Sequence, residues 1–321
     1  MLNREIKNKT ILVVGGAGFI GSHLVDRLIT DGAAQVIIID NLFTGTVENL
    51  KEAMASGKCV LFKDDAESKN LLNYIFSTFK IDTVFNLATK ALNYSFTNPS
   101  DAFATNVTVV LNLLEHLRSK NFHHLCHYST SEVYGTAVYE PMDEAHPKNP
   151  TTTYAAGKAA ADLAVESYVH MFDVDAIIVR PFNNYGPRQN HLPPLAGIIP
   201  LTASKLLNGI SPEIHGSGKQ SRDFIYVKDT IDATLNVFKV LEKGETVNLS
   251  TGNQVTMEDL INQIVKHFDF KGEILRKPER GADVFCHNCS NEKVSKIVNY
   301  QLTPFSEGLA TTLNWYKENL K

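Results

Sequence analysis

The sequence predicts an α/β protein: a doubly wound parallel sheet with a smaller, interleaved C-terminal domain. Three observations carry this. Short apolar, β-branched runs alternate with segments of helical periodicity through the first half of the chain. The first such run leads directly into a glycine-rich turn and a helix. After Pro181 the pattern becomes loop-rich, yet apolar runs around 223–227 and 247–249 read as returning to the first core.

Taken in order, Ile11–Val14 is the first strand, followed by Gly15-Gly16-Ala17-Gly18-Phe19-Ile20-Gly21 and by a helix with apolar residues at Leu24, Val25 and Leu28. Glycines at Gly15, Gly18 and Gly21, with Phe19 and Ile20 between them, let the backbone turn tightly and approach a pyrophosphate at the helix N-terminus. The second strand, Val36–Ile39, ends at Asp40-Asn41. Asp40 lies about 20 positions past the last glycine, where an acidic residue binds a ribose 2′-hydroxyl. It would repel a 2′-phosphate, and the following Leu42 and Phe43 supply no arginine, so NAD is expected over NADP. This strand–turn–helix is a Rossmann-type start.

Further strands are expected at Val60–Phe62, Thr83–Asn86, His124–Tyr128 and Ala176–Val179, with long helices at Asp101–Arg118 and Tyr154–Phe172. Asn86-Leu87-Ala88 falls at the carboxyl edge of the fourth strand, where open α/β sheets bind ligands. Asn183 to Pro194 should be a long functional loop, and Ile198–Leu207 a helix. The division expected is 1–181, with 223–250 returning to it, as the nucleotide-binding domain, and 182–321 as the second domain.

Composition narrows the function. The 321 residues are 43% hydrophobic, enough for a core, and the net charge of −4 leaves no basic footprint for nucleic acid. No apolar run reaches the length of a membrane span, and Met1-Leu2-Asn3-Arg4-Glu5 has no apolar signal core. Cys59, Cys126, Cys286 and Cys289 read as reduced thiols of a cytoplasmic protein. Cys286-His287-Asn288-Cys289 has zinc-like local spacing, but no second ligand pair accompanies it and no metal is expected.

Tyr154 and Lys158 stand four residues apart, on one helix face. A nearby ammonium favours the phenolate and should lower the phenol pKa, making Tyr154 a base.

Together with Ser129 to Gly135, Asn106-Val107, Arg180 to Arg188 and Arg222-Asp223-Phe224-Ile225-Tyr226-Val227, these blocks make the chain resemble, over almost its whole length, the extended short-chain dehydrogenases/reductases that act as nucleotide-sugar epimerases and dehydratases. The resemblance implies a substrate cleft between the two domains, NAD as resident cofactor and a cytoplasmic homodimer built by pairing the two long helices into a four-helix bundle. It implies that Thr130 orients a sugar hydroxyl while Tyr154 removes its proton, that Asp64 or Asp65 lies beside the adenine, and that Asn106 supports the catalytic helix. Substrate contacts are implied for Asn183, Asn184, Arg188, Arg222 and Arg280. Thr89-Lys90 departs from the family's pattern, and Lys90 is a candidate for the nicotinamide ribose or a substrate phosphate.

Ser131 and Glu132 bear on the reaction. Simple 4-epimerases of the family carry small or hydroxyl residues at both positions, whereas 4,6-dehydratases carry an acidic residue at the second. Once C4 is a ketone, a carboxylate can take the acidified C5 proton and water leaves from C6. The expected activity is an NAD-dependent dehydratase of a UDP-hexose, with UDP-GlcNAc suggested by likeness around Glu132–Ala137 and Pro141–Pro147. The alternatives are a UDP-sugar 4-epimerase, a UDP-glucuronate-type decarboxylase, since those enzymes also carry Ser-Glu, and a non-catalytic nucleotide-binding module.

Overall fold

A computed structural model describes residues 4–278 and 288–320. Strands β1 (Thr10–Val14), β2 (Gln35–Ile39), β3 (Cys59–Phe62), β4 (Thr83–Asn86), β5 (His124–Tyr128) and β6 (Asp175–Pro181) form, with a late strand, one seven-stranded sheet. All its pairings are parallel, in the order β3-β2-β1-β4-β5-β6 followed by Thr246–Leu249. Every strand expected from the apolar runs is present, because strands covered on both faces read as continuous Val/Ile/Leu stretches.

Helices cover both faces. On one lie α1 (Phe19–Thr30) and its neighbours, with Leu24, Val25 and Leu28 packed on Ile11, Val13, Val36 and Ile38. Short α2 (Lys51–Ala55) contributes Ala53 to the same layer. On the other lie α3 (Lys69–Thr78), α5 (Pro99–Arg118) and α6 (Thr153–Phe172), over Leu12, Val14, Ile37 and Val84. A short α4 (Leu92–Ser95) precedes α5. Thr152 caps α6, its hydroxyl accepting from Ala155 N at 3.2 Å. A Cβ at Gly157 would stand 2.9 Å from the Phe103 carbonyl oxygen, so the missing side chain sets how closely α6 approaches α5.

Past Pro181 the chain leaves the sheet. Strand β7 (Asn183–Tyr185) pairs in parallel with β10 (Phe224–Tyr226), and the short strands β8 (Glu213–His215) and β9 (Ser221–Arg222) lie between them in sequence. The run expected to return at 223–227 therefore joins β7 and not the central sheet. The physical reason is that the open edge of β6 is taken by β11 (Thr246–Leu249), with Phe182 N also donating to Leu249 O at 2.9 Å. From Val227 the chain forms α8 (Val227–Val240), which packs beside α1. Helices α7 (Ile198–Leu207), α9 (Met257–His267) and α11 (Phe305–Asn319) enclose a separate core of Ile199, Ala203, Leu260, Ile264, Leu313 and Tyr316.

Between β1 and β4 the strand order reverses direction, and the loops leaving their carboxyl ends diverge. That opens a crevice above the sheet, the place where such folds bind ligands.

Candidate active site

A cleft of about 480 Å³ occupies that crevice, lined from the glycine turn to α7. At its floor the backbone is packed as closely as glycine permits. Gly15 has φ +80°, and a Cβ there would sit 2.8 Å from Ala88 N. A Cβ on Gly21 would overlap the Gly15 carbonyl oxygen. Gly18, Phe19, Ile20, Leu87 and Ala88 complete this wall. Helix α1 starts at Gly18 with no side-chain cap, leaving its first N–H groups for an anion.

Asp40 ends β2 at the rim. Its two oxygens accept from Ala17 N and Leu42 N, each at 2.8 Å, which orients the carboxylate towards the cleft that it lines. Burial raises its pKa, and those backbone N–H groups oppose the rise. Asn41, Asp64 and Asp65 line the same end, with Asn41 Nδ2 donating to Asp65 Oδ2 at 3.0 Å. A nucleotide-sized cradle with an acidic rim and tight glycine floor fits a dinucleotide.

At the other end, β5 runs into Ser129, Thr130 and a 3₁₀ turn at Ser131–Tyr134. Thr130 Oγ1 accepts from Glu132 N at 3.2 Å, which fixes the start of the turn. The Tyr154 phenol faces the side chains of Thr130 and Thr89, which favour its ionised form. Lys158, 2% exposed, donates from Nζ to Tyr128 O at 2.5 Å. Ser131 and Glu132 line the cleft beside them. The structure thus brings Thr130, Ser131, Glu132, Tyr154 and Lys158 to one place.

One electrostatic expectation is corrected. Desolvation pushes the Tyr154 phenol up to about 12, with the neighbouring Thr130 and Thr89 opposing the rise. Burial also pulls Lys158 down to about 8, against the raising effect of Asp162. Desolvation is the largest influence on both groups, so spacing to Lys158 does not by itself lower the phenol. Glu132 is held above the ordinary carboxylate range by burial, with the Arg222 cation opposing.

The remaining predicted residues divide. Asn183 and Asn184 line the cleft, but each is anchored: Asn183 Nδ2 donates to Asp223 O, and Asn184 accepts from Thr230 Oγ1 at 2.6 Å. Lys90 lines the cleft as well. Its ammonium stands 4.0 Å from the Phe43 ring centre and 5.2 Å from that of Tyr94. Arg222 donates to Ser221 O at 2.8 Å, with its charge acting on Glu132. Arg188 donates to Asp26 Oδ2 on α1 at 2.6 Å, which ties its loop to the cofactor-side helix. Its backbone sits at φ +69° directly after Pro187, which aims the side chain at α1. Arg280, Cys286 and His287 lie outside the described residues. Asn106 packs beside Gly157 of α6, and its Oδ1 accepts from Thr89 Oγ1 and Lys90 N, both at 3.0 Å, shaping the loop that carries Thr89.

Sequence reading missed Thr89, Phe43, Gln189 and the apolar wall of Ile198, Ile199, Pro200 and Phe224. Thr89 was visible only as a departure from a motif. Nothing local in the sequence marks the others, because the fold brings them in from separate loops.

Comparison with known proteins agrees with this geometry. The profile of the GDP-mannose 4,6 dehydratase family matches residues 12–307. A UDP-glucose 4-epimerase of Mycolicibacterium smegmatis is 32% identical over 95% of this chain and 98% of its own length. The structure of a UDP-N-acetylglucosamine 4-epimerase from Methanobrevibacter ruminantium, in complex with UDP-N-acetylmuramic acid, superposes with a TM-score of 0.89 at 32% identity, covering 97% of this chain and 99% of that one. A dTDP-glucose 4,6-dehydratase from Streptomyces venezuelae with NAD bound superposes with a TM-score of 0.90 at 28% identity, covering 97% of both chains.

Proposed function

This chain belongs to the extended short-chain dehydrogenase/reductase family of nucleotide-sugar epimerases and dehydratases, and from that premise we propose that it is an NAD-dependent dehydratase of a UDP-hexose, UDP-GlcNAc first among them. The observation that carries the reading is Glu132. A half-buried carboxylate lining the cleft beside Thr130 and Tyr154, with its pKa raised by desolvation, is the group an elimination at C5 needs. NAD is the cofactor that the cradle of Gly15, Gly18, Gly21 and Asp40 would hold, with Asn41, Asp64, Asp65, Leu87 and Ala88 along its length. NAD held there would supply the hydride acceptor for C4 of the sugar and the donor for its return.

The chain's own residues do the rest. Thr130 holds the C4 hydroxyl, and Tyr154 takes its proton. Lys158 supplies the positive charge that makes the phenolate attainable. Glu132 removes the C5 proton once C4 is a ketone, and the same group, protonated, can return a proton to the departing C6 hydroxyl. Asn183, Asn184 and Arg222 would meet the sugar diphosphate, by charge-assisted hydrogen bonds in the case of Arg222.

A second reading is a UDP-sugar 4-epimerase, favoured by the UDP-glucose and UDP-N-acetylglucosamine 4-epimerases among the relatives. It uses the same first step and leaves Glu132 without a role. Incubation with UDP-GlcNAc, UDP-glucose, UDP-glucuronate and dTDP-glucose, followed by mass spectrometry, separates them. Loss of water supports the dehydratase, an isomer of unchanged mass the epimerase, and loss of CO₂ a decarboxylase.

The protein is proposed to act as a homodimer in the cytoplasm. Phe103 and Leu111 on α5, and Leu163 and Met171 on α6, are exposed apolar residues on adjoining helices. Two copies pairing these helices would cover them. Among the described residues no helix is long and apolar enough to cross a membrane.

A further inference from the structure

Three residues of α6, Tyr154, Lys158 and Asp162, are spaced four apart and share one face. They meet three consecutive residues at the end of β5. Tyr154 faces Thr130, Lys158 Nζ donates to Tyr128 O at 2.5 Å, and Ser129 Oγ donates to Asp162 Oδ2 at 2.9 Å. The first two contacts belong to the reaction described above; the third does not.

We infer that Asp162 is a positioning residue of the hydride-transfer step: through Ser129 it fixes the strand end that carries Thr130, and it supports the charge on Lys158. The inference rests on the use of Tyr154 and Thr130 at C4, which the dehydratase and epimerase readings share.

Asp162 is fully buried. A carboxylate there is costly to desolvate, and pairing offsets this only with good geometry. The geometry is supplied. Arg180, 1% exposed on β6, donates from Nε and Nη2 to the same Oδ2 at 3.0 and 2.8 Å. Arg180 Nη1 also donates to the Tyr134 hydroxyl at 2.9 Å, and that hydroxyl donates to Asn248 Oδ1 on β11 at 2.7 Å. The carboxylate is thereby referenced to β5, β6 and β11 at once. Buried ion pairs add little stability over apolar residues of similar volume, so stability alone does not account for this one. A network that locks the orientation of the residue next to Thr130 does.

The charges facing this group are few. Asp162 Oδ1 accepts no hydrogen bond and stands 3.8 Å from His127 Nε2 of β5. Burial holds His127 well below its ordinary pKa, so its ring is neutral. Arg180 faces Asp162 from β6, while Lys148, before α6, acts from further away and is paired with Glu166 at 2.5 Å. Lys158 and Tyr154 share its helix. Of these, Lys158 is the cation whose protonation changes in the working pH range, pulled by burial to about 8 and held up by Asp162.

The test uses the purified holoenzyme. Asp162→Asn keeps the shape and removes the charge. The readouts are the rate of nicotinamide reduction on adding substrate, KM, and the pH dependence of that rate. The expected result is a loss on the order of tenfold or more in rate with KM unchanged, since small misplacements of reacting groups are costly. The alkaline limb should move to lower pH, because Lys158 loses its supporting anion. Ser129→Ala cuts only the link to the strand. It should slow the same step with KM unchanged and leave the alkaline limb in place. A folded Asp162→Asn protein with wild-type rate and pH profile overturns the inference. If Asp162→Asn does not fold, Ser129→Ala decides, and a wild-type rate there overturns it. The dehydratase reading fails separately, by wild-type enzyme interconverting C4 epimers without losing water. The hydride step is measured whichever product forms.

Discussion

Lys158 Nζ donates to the Tyr128 main-chain carbonyl at 2.5 Å, one helical turn from the Tyr154 phenol. The bond pins the ammonium at the end of β5, and burial sets when it is charged. Its pKa is pulled from the ordinary lysine value to about 8, so Lys158 is an ammonium below that pH and neutral above it. Burial raises the phenol to about 12, and a nearby cation favours its ionised form.

The hydride-transfer rate should therefore fall as pH rises through about 8. Lys158→Arg keeps a cation that does not titrate in this range. That variant should lose the alkaline limb even if its absolute rate is lower. A limb that persists unchanged in Lys158→Arg assigns it to another group.

Tyr154→Phe should fold normally, since the ring keeps its packing and only a hydroxyl facing Thr130 and Thr89 is removed. Turnover should drop by about 10²–10⁴-fold, the usual worth of a general acid–base group. Circular dichroism checks the fold and steady-state turnover the loss. Near-normal turnover in a folded variant would mean that a different group takes the C4 proton.

The nucleotide released on denaturing the protein should be NAD and not NADP. Asp40 is held at the rim by Ala17 N and Leu42 N and has no freedom to withdraw from a 2′-phosphate. Mass spectrometry of the released nucleotide decides; NADP alone would contradict the assignment.

The parts legible in the sequence were those fixed by local patterns. Continuous apolar runs marked the strands of the central sheet, and the spacing from Gly21 to Asp40 marked the cradle. Ile198–Leu207 was readable as a helix to the residue. The pairing of Phe224–Tyr226 with Asn183–Tyr185 was not, because three-residue strands carry no periodicity and pairing partners are set by which sheet edge remains open. The ion pair of Arg188 was not legible for a related reason. Its motif gave the loop correctly, but the direction of the side chain depends on a positive φ and on Asp26, which lies 162 positions away in the chain. The phenol pKa went wrong because spacing reveals a neighbouring charge but not the depth of burial, and here burial is the larger effect.

Glu132 separates the two reactions. Its carboxyl lines the cleft beside Thr130, and burial keeps its pKa above the ordinary value, which makes it a stronger base once ionised. Glu132→Gln retains the size and hydrogen-bonding reach of the side chain but cannot accept the C5 proton. On addition of UDP-GlcNAc, or whichever UDP-hexose proves to be the substrate, the variant should still reduce its bound nicotinamide, because Thr130, Tyr154 and Lys158 are intact. It should then stall, neither losing water nor exchanging the C5 hydrogen with deuterated solvent. Wild-type activity should decline on the acid side as Glu132 becomes protonated, at a pH above the usual carboxylate range, and that limb should vanish in the variant's half-reaction. Normal dehydration by Glu132→Gln removes the residue from the mechanism. Wild-type enzyme that interconverts C4 epimers with no C5 exchange and no change of mass would leave the epimerase reading standing alone.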